Sequence, residues 1–382
     1  MKIPNEFDAI RPYEPEELPE VYERLIGDPQ FKRVIAIIMP GVPYEAVAAK
    51  IRACKTNYDF QVEFCYKFLE QLLSKASTSC NMDISAVDAD SCYTFMSNHR
   101  DIVLDSALLD KLLVDYHFTT TCEIAIGDNL LSMGWVRDLV GINKAFVVQR
   151  NLPPMQKLRS SARLSEYMHF AINKKHENLW IAQREGRAKD SNDVTQTAIL
   201  KMMTLGGEGS LTDRLLALHI VPLSISYEYD PCDFLKAKEF QQKRDMPDFH
   251  KGPMDDIVSM RTGIMGFKGN IHYHCAPCID DFLRSMPKDM SKSDTYTMIA
   301  ERIDHEIHRN YRIYPVNYVA LDMLKGTSDY ASNYTKEDKE HFDSYIESQL
   351  KKVDLENPDH DYLRERILTM YANPLINHIA AK

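Results

Sequence analysis

Between residues 88 and 280 short apolar segments alternate with stretches of ten or more residues that carry helical periodicity. The apolar segments are 92–97, 121–126, 145–149, 178–183, 219–227 and 269–275, each bounded by polar turn residues. Alternation of this kind predicts an α/β fold, with a mixed and largely parallel sheet surrounded by helices. Functional groups in such sheets gather beyond the carboxyl ends of the strands. The segment after the first predicted strand is therefore the first place to look for chemistry. It reads Asn98-His99-Arg100-Asp101 and leads into a helix that opens at Asp105. A histidine in that turn can serve as a general base, and an acid one helical turn on can fix its tautomer and stabilise the imidazolium. Asp105 and Asp101 both qualify as that acid. Asp105 has the reach to return from the first helical turn, whereas the position of Asp101 suits a cap on the helix that follows.

Further blocks follow in order. Ala145-Phe-Val-Val-Gln-Arg150 ends a predicted strand on arginine, Glu185-Gly186-Arg187 follows another, and Ile220-Val-Pro222-Leu-Ser-Ile-Ser-Tyr-Glu228 is a proline-containing strand. Gly127 to Gly141 carries a Gly134-Trp135 pair in a helical stretch. Together with Asn98-His99 and Asp105 these blocks resemble, in order and spacing, the glycerolipid acyltransferase superfamily, over about half the chain. The spacing from His99 to Asp105 is one residue longer than the family pattern, and Arg187 follows Gly186 directly where many members have a threonine between.

The resemblance implies transfer of a fatty acyl group from a thioester donor, an acyl carrier protein or coenzyme A, to a hydroxyl of a glycerol-phosphate type acceptor. His99 and its acid would be catalytic, with Arg150, Glu185, Gly186, Arg187 and Pro222 at the substrate. Guanidinium groups suit the acceptor phosphate because they give bidentate, permanently charged contacts. The amides of the turn, at a helix N-terminus, are expected to meet the oxyanion. No bound cofactor is implied. The same scaffold could acylate a non-phosphate acceptor such as an aminoacyl lipid, or serve as a non-catalytic lipid- or carrier-binding module.

The acyltransferase-like region is expected at 81–285, between an N-terminal helical cap at 1–80, including a helix over 59–75, and a solvated helical appendage at 286–382. With 382 residues the chain can bury a substantial core, and its net charge of −10 disfavours non-specific binding to nucleic acid or an anionic bilayer. Locally, Lys144, Arg150, Lys157, Arg159 and Arg163 occur with no acid between Leu139 and Ser165, a patch suited to a carrier, a coenzyme A phosphate or a lipid headgroup. The longest apolar run, Val34 to Pro40, is too short to span a membrane. A cytoplasmic protein is expected, and the resemblance adds peripheral contact with the inner face of a membrane. The cysteines follow no small-domain disulfide rhythm and are expected as thiols. His272-Tyr-His274-Cys275-Ala-Pro-Cys278 gathers zinc-type ligands, yet on a strand His272 and His274 project to one face and Cys275 to the other, so no metal is expected there.

Overall fold

The computed structural model describes residues 2–39, 41–150 and 152–382. Its strands are β1 (Ser79–Asp83), β2 (Thr94–Ser97), β3 (Cys122–Gly127), β4 (Ala145–Val148), β5 (Asn178–Ala182), β6 (Ile220–Tyr227) and β7 (Asn270–Cys275). They form one sheet in the order β1-β7-β6-β2-β5-β3-β4, and every neighbouring pair is parallel except β6 with β7. The fold is α/β, with a mixed and mostly parallel sheet. Each of the six apolar segments is a strand.

Alternation along the central strands gives the sheet two buried faces, which is why these segments read as continuous apolar runs. Met96, Leu179, Ile181 and Ile220 pack on one face with Leu164 and Met168 of helix Pro154–Phe170 and with Ile299, Ile303 and Ile307 of helix Lys292–Arg309. Phe95, Trp180, Val221 and Tyr273 pack on the other, against Leu104, Leu108 and Leu112 of helix Leu104–Asp115. β1 escapes sequence reading because it is an edge strand, paired only with β7, and of Ser79-Cys-Asn-Met-Asp83 only Met82 is buried.

Helices pack at both ends of the chain. Leu18–Gly27, Pro29–Ile38 and Tyr44–Ala53 share a cluster with Phe60 and Ile142. The helix expected over 59–75 runs from Asn57 to Ala76, with a wider π-type turn at Gln61–Tyr66. Pro29–Ile38 contains most of the Val34 to Pro40 run, of which Pro40 lies outside the described residues. Among the described residues no helix is long and apolar enough to cross a membrane. The last hundred residues are less solvated than their charge suggests. Besides the isoleucines of Lys292–Arg309, helix Lys336–Leu350 exposes Lys336 and Glu337 yet buries Phe342 and Ile346 against Leu363 and Ile367.

All eight cysteines are free thiols. Lys144 is not part of a basic surface patch: it is buried, and its Nζ lies 2.6 Å from Glu177 Oε2. Lys144 precedes β4, where Thr121 and Glu177 supply its acceptors.

Helix Leu104–Asp115 also carries a buried acid, Asp110, whose carboxylate accepts the Cys122 amide at 2.8 Å and Gln61 Nε2 at 3.2 Å. Burial pushes its carboxyl up to about 7. Because the folded state then keeps a proton that the unfolded chain releases near pH 4, this group's share of stability is present in full below about 4 and is lost as pH rises toward 7. Thermal midpoints recorded from pH 5 to 8 should therefore fall less steeply for Asp110→Asn than for the unaltered protein. Equal slopes would mean that the Asp110 carboxylate is solvated in the folded state.

Candidate active site

β2 ends at Ser97, and the chain is anchored at once by Asn98. This fully buried amide continues the sheet toward β6: Nδ2 donates to Ile225 O at 2.9 Å, and Oδ1 accepts the Ile225 amide at 2.8 Å. The turn that follows is therefore held rigidly at the carboxyl end of β2. His99 emerges from it with Nδ1 2.8 Å from Asp105 Oδ2, and its side chain is 13% exposed against 0% for Asp105. The ring meets Trp180 of β5 edge-on at 5.7 Å.

Asp105 Oδ2 also accepts the amides of Arg100 at 2.6 Å and Asp101 at 3.0 Å, and Oδ1 accepts the Tyr227 hydroxyl at 3.1 Å. Asp101 turns the other way. Its Oδ1 accepts the amides of Val103 at 2.9 Å and Leu104 at 2.8 Å, which caps the helix. Burial and the neighbouring Asp105 push the Asp101 carboxyl up. The additional residue between His99 and Asp105 is taken up in this double turn, so the two acids hold separate posts.

One expectation is narrowed here. The amides of Arg100, Asp101, Val103 and Leu104 are already engaged by Asp105 and Asp101, so these four cannot receive an oxyanion as well. Of the four, only the Leu104 amide belongs to the first turn of the helix.

Asp193, Lys236 and Asp230, not singled out from the sequence, complete the support around Arg100. Arg100 is buried and ion-paired with Asp193 at 2.8 Å, its guanidinium 5.5 Å from the Tyr311 ring centre. Lys236 Nζ donates to Arg100 O at 3.2 Å and pairs with Asp230, whose carboxyl it holds below the usual carboxylate range against the effect of burial. The nearest sequence signal was Tyr227, the last residue of the proline-containing strand.

His99 lines a cleft with a volume of about 1320 Å³. One part of the wall is apolar, with Phe64, Phe68, Trp135 and Leu139, and another is basic, with Arg150, Arg184, Arg187 and Lys243. Glu185 and Gly186 line it too. Arg187 is half-buried, and its Nη1 is buried without a hydrogen-bond partner. Arg150 is more tethered: its amide faces the Asp128 carboxylate at 3.3 Å, and Nη1 lies 3.6 Å from Glu185 Oε1. Gly127 allows this, since a Cβ there would sit 2.8 Å from Arg150 Nε. Pro222 stands apart from the group. It is buried within β6 opposite Met96, and its carbonyl accepts the Ala276 amide at 2.9 Å, so its place is in the sheet between β2 and β7.

Neither a family model nor a curated protein matches the chain. Among solved structures, it is similar to the 1-acyl-sn-glycerophosphate (LPA) acyltransferase PlsC from Thermotoga maritima. The TM-score is 0.39 at 10% identity, over 75% of this chain and 95% of that one.

Helix Pro253–Met265 presses on the turn through Gly263, where a Cβ would fall 1.8 Å from Asp101 Oδ2. Replacing Asp101 by Ala should cost about 1 kcal/mol, the usual worth of a cap. Gly263→Ala should destabilise by roughly 1–3 kcal/mol, because the new methyl evicts that carboxylate. Once Asp101 is alanine the methyl has room, so chemical denaturation of the double variant should show a loss well below the sum of the two. Strict additivity would place the Gly263 effect elsewhere.

Proposed function

We propose that this protein is an acyltransferase that moves a fatty acyl group from a thioester carrier to a hydroxyl of a glycerol-phosphate type acceptor. The observation that carries the reading is His99, paired with the buried Asp105, in a cleft that offers apolar wall to one substrate part and arginines to another. An acyl chain suits the wall of Phe64, Phe68 and Leu139, where burial stabilises by about 25 cal/mol per Å² of apolar surface. An anionic acceptor suits Arg187, whose Nη1 lacks a partner, and Arg150, which lines the same cleft.

With Nδ1 held by Asp105, His99 uses Nε2 as the base. It takes the acceptor hydroxyl proton as the oxygen attacks the thioester carbonyl, Asp105 stabilises the imidazolium, and the C–S bond breaks as the thiolate leaves with the proton from Nε2. The thioester is already activated, so no covalent enzyme intermediate is needed. An acyl carrier protein or coenzyme A is the donor on this reading. Peripheral membrane contact belongs to it as well. Ile37 and Met265 line the cleft while 71% and 58% exposed, and Met155 and Leu158 flank the exposed Lys157.

The direct test incubates the purified protein with acyl carrier protein and coenzyme A thioesters and a panel of glycerol lipids, following products by mass. His99→Ala should lower turnover by about 10²- to 10⁴-fold in a protein that remains folded. Asp105→Asn should lose nearly as much, whereas Asp101→Asn should stay active. Normal turnover in a folded His99→Ala variant would end the mechanism.

Arg187→Ala should raise the KM for a phosphorylated acceptor with little change in donor use, as expected of a contact made equally in ground and transition states. Arg150→Ala should do so less, since Glu185 already competes for that guanidinium. Equal rates on phosphorylated and dephosphorylated acceptors would point instead to a non-phosphate acceptor, such as an aminoacyl lipid. A product-free panel with retained lipid binding would point to a binding module.

A further inference from the structure

At the end of the sheet opposite His99 lies a second cluster of reactive side chains. His219 immediately precedes β6, while Cys278 and Asp280 follow β7. Because β7 runs antiparallel to β6, both segments reach the same edge. His219 Nδ1 lies 2.8 Å from Asp280 Oδ2, and the donor atoms of His219, Cys278 and Asp280 all lie within 4.8 Å of one another. We infer that these three side chains form a zinc site, with solvent as the remaining ligand.

Three observations support it beyond proximity. Asp280 Oδ1 is buried and has no hydrogen-bond partner, so the carboxylate has coordinating capacity that its bond to His219 leaves unused. His219 is held at φ +45, a left-handed conformation that a non-glycine side chain adopts only when its surroundings enforce it. Moreover, the donors differ in kind. Thiolate, imidazole and carboxylate together are a ligand set that zinc accepts, and the thiolate argues against magnesium or calcium.

The exposures suit an open site, because the His219 side chain is 43% exposed while that of Asp280 is 13% exposed. Zinc bonds of about 2.0–2.3 Å require donors somewhat farther apart than the present His219 to Asp280 contact, so binding opens that pair by roughly half an ångström. Arg284 lies 3.7 Å from Asp280 Oδ2, but its side chain is 58% exposed and its Nη1 pairs with Asp281 at 2.9 Å. As the Zn–S bond forms, the proton of Cys278 Sγ is released to solvent.

Cys275, three residues earlier, takes no part. It is buried on the sheet face, with Sγ 4.0 Å from Met82 Sδ. Thus the expectation that His272, His274, Cys275 and Cys278 do not form one site stands apart from this inference, which pairs Cys278 with partners distant in sequence. Bound zinc would clamp helix Asp280–Ser285 to the amino end of β6, away from the acyl-transfer chemistry.

Chelator-washed full-length protein should be titrated with zinc against a chromophoric competitor. One zinc per chain is expected, with affinity at least tenfold weaker in His219→Gln and in Cys278→Ser, and unchanged in His272→Gln. Circular dichroism establishes that each variant is folded. Cobalt in place of zinc should give a thiolate charge-transfer absorption that Cys278→Ser abolishes. Binding well below one per chain, equal affinity in all variants, or loss in His272→Gln alone would overturn the assignment. If a variant fails to fold, the cobalt–thiolate absorption of the unaltered protein decides, since its absence excludes Cys278 as a ligand.

Discussion

The Asp105 carboxylate is the interaction on which the proposed site depends. A fully buried acid must be compensated to remain charged, and Asp105 gathers His99 Nδ1, two turn amides and the Tyr227 hydroxyl. Each donor comes from an element that the sheet fixes. The amides sit just beyond β2, Tyr227 closes β6, and Asn98 locks the two strands together through Ile225. Fold and histidine orientation are therefore one problem. A shift of β6 against β2 would break the Asn98 bridge and withdraw Tyr227 from the carboxylate in the same movement.

This coupling also limits what the turn can do. Here Asp105 and Asp101 engage the amides of Arg100, Asp101, Val103 and Leu104, of which only that of Leu104 lies in the first turn of the helix. Among the cations of the cleft Arg187 is the best prepared for the anionic group of an acceptor, with one guanidinium nitrogen already buried and unpartnered. Arg150 and Arg187 are alike in sequence but differ in readiness for an anion, because Glu185 lies 3.6 Å from the former.

Much of this was legible in the sequence, for identifiable reasons. The six apolar strands declare themselves because each is buried on two faces or close to it, and His99 stands out because a polar turn follows one of them. β1 does not, since a polar edge strand carries no pattern to read. Spacing favoured Asp105 over Asp101 as the partner of His99 without deciding between them, and it is the folded turn that brings Asp105 to the ring while Asp101 caps the helix. By contrast, Lys144 looked like part of a basic surface because linear neighbours cannot report that Glu177 waits across the fold. Pro222 belonged to a recognisable strand, but its depth within the sheet depends on β2 and β7 flanking it. Lys236 and Asp193 were invisible for the same reason: each meets Arg100, more than ninety residues away.

Charge illustrates the general point. A net charge of −10 argues against an anionic partner if it is spread evenly. It is not spread evenly, because Arg150, Arg184, Arg187, Lys243 and Lys251 converge on one cleft from three separate segments of the chain. Some are neutralised locally: Glu239 lies 2.8 Å from Lys243 and 3.2 Å from Lys251, and despite burial the lysines hold its carboxyl down at about 2. Among the described residues Arg187 forms no ion pair with a carboxylate, although its charge acts on the buried Asp101 and Asp230. Net charge therefore constrains what adheres to the outside of this protein, while an anion in the cleft meets cations that differ in how far local carboxylates have already engaged them.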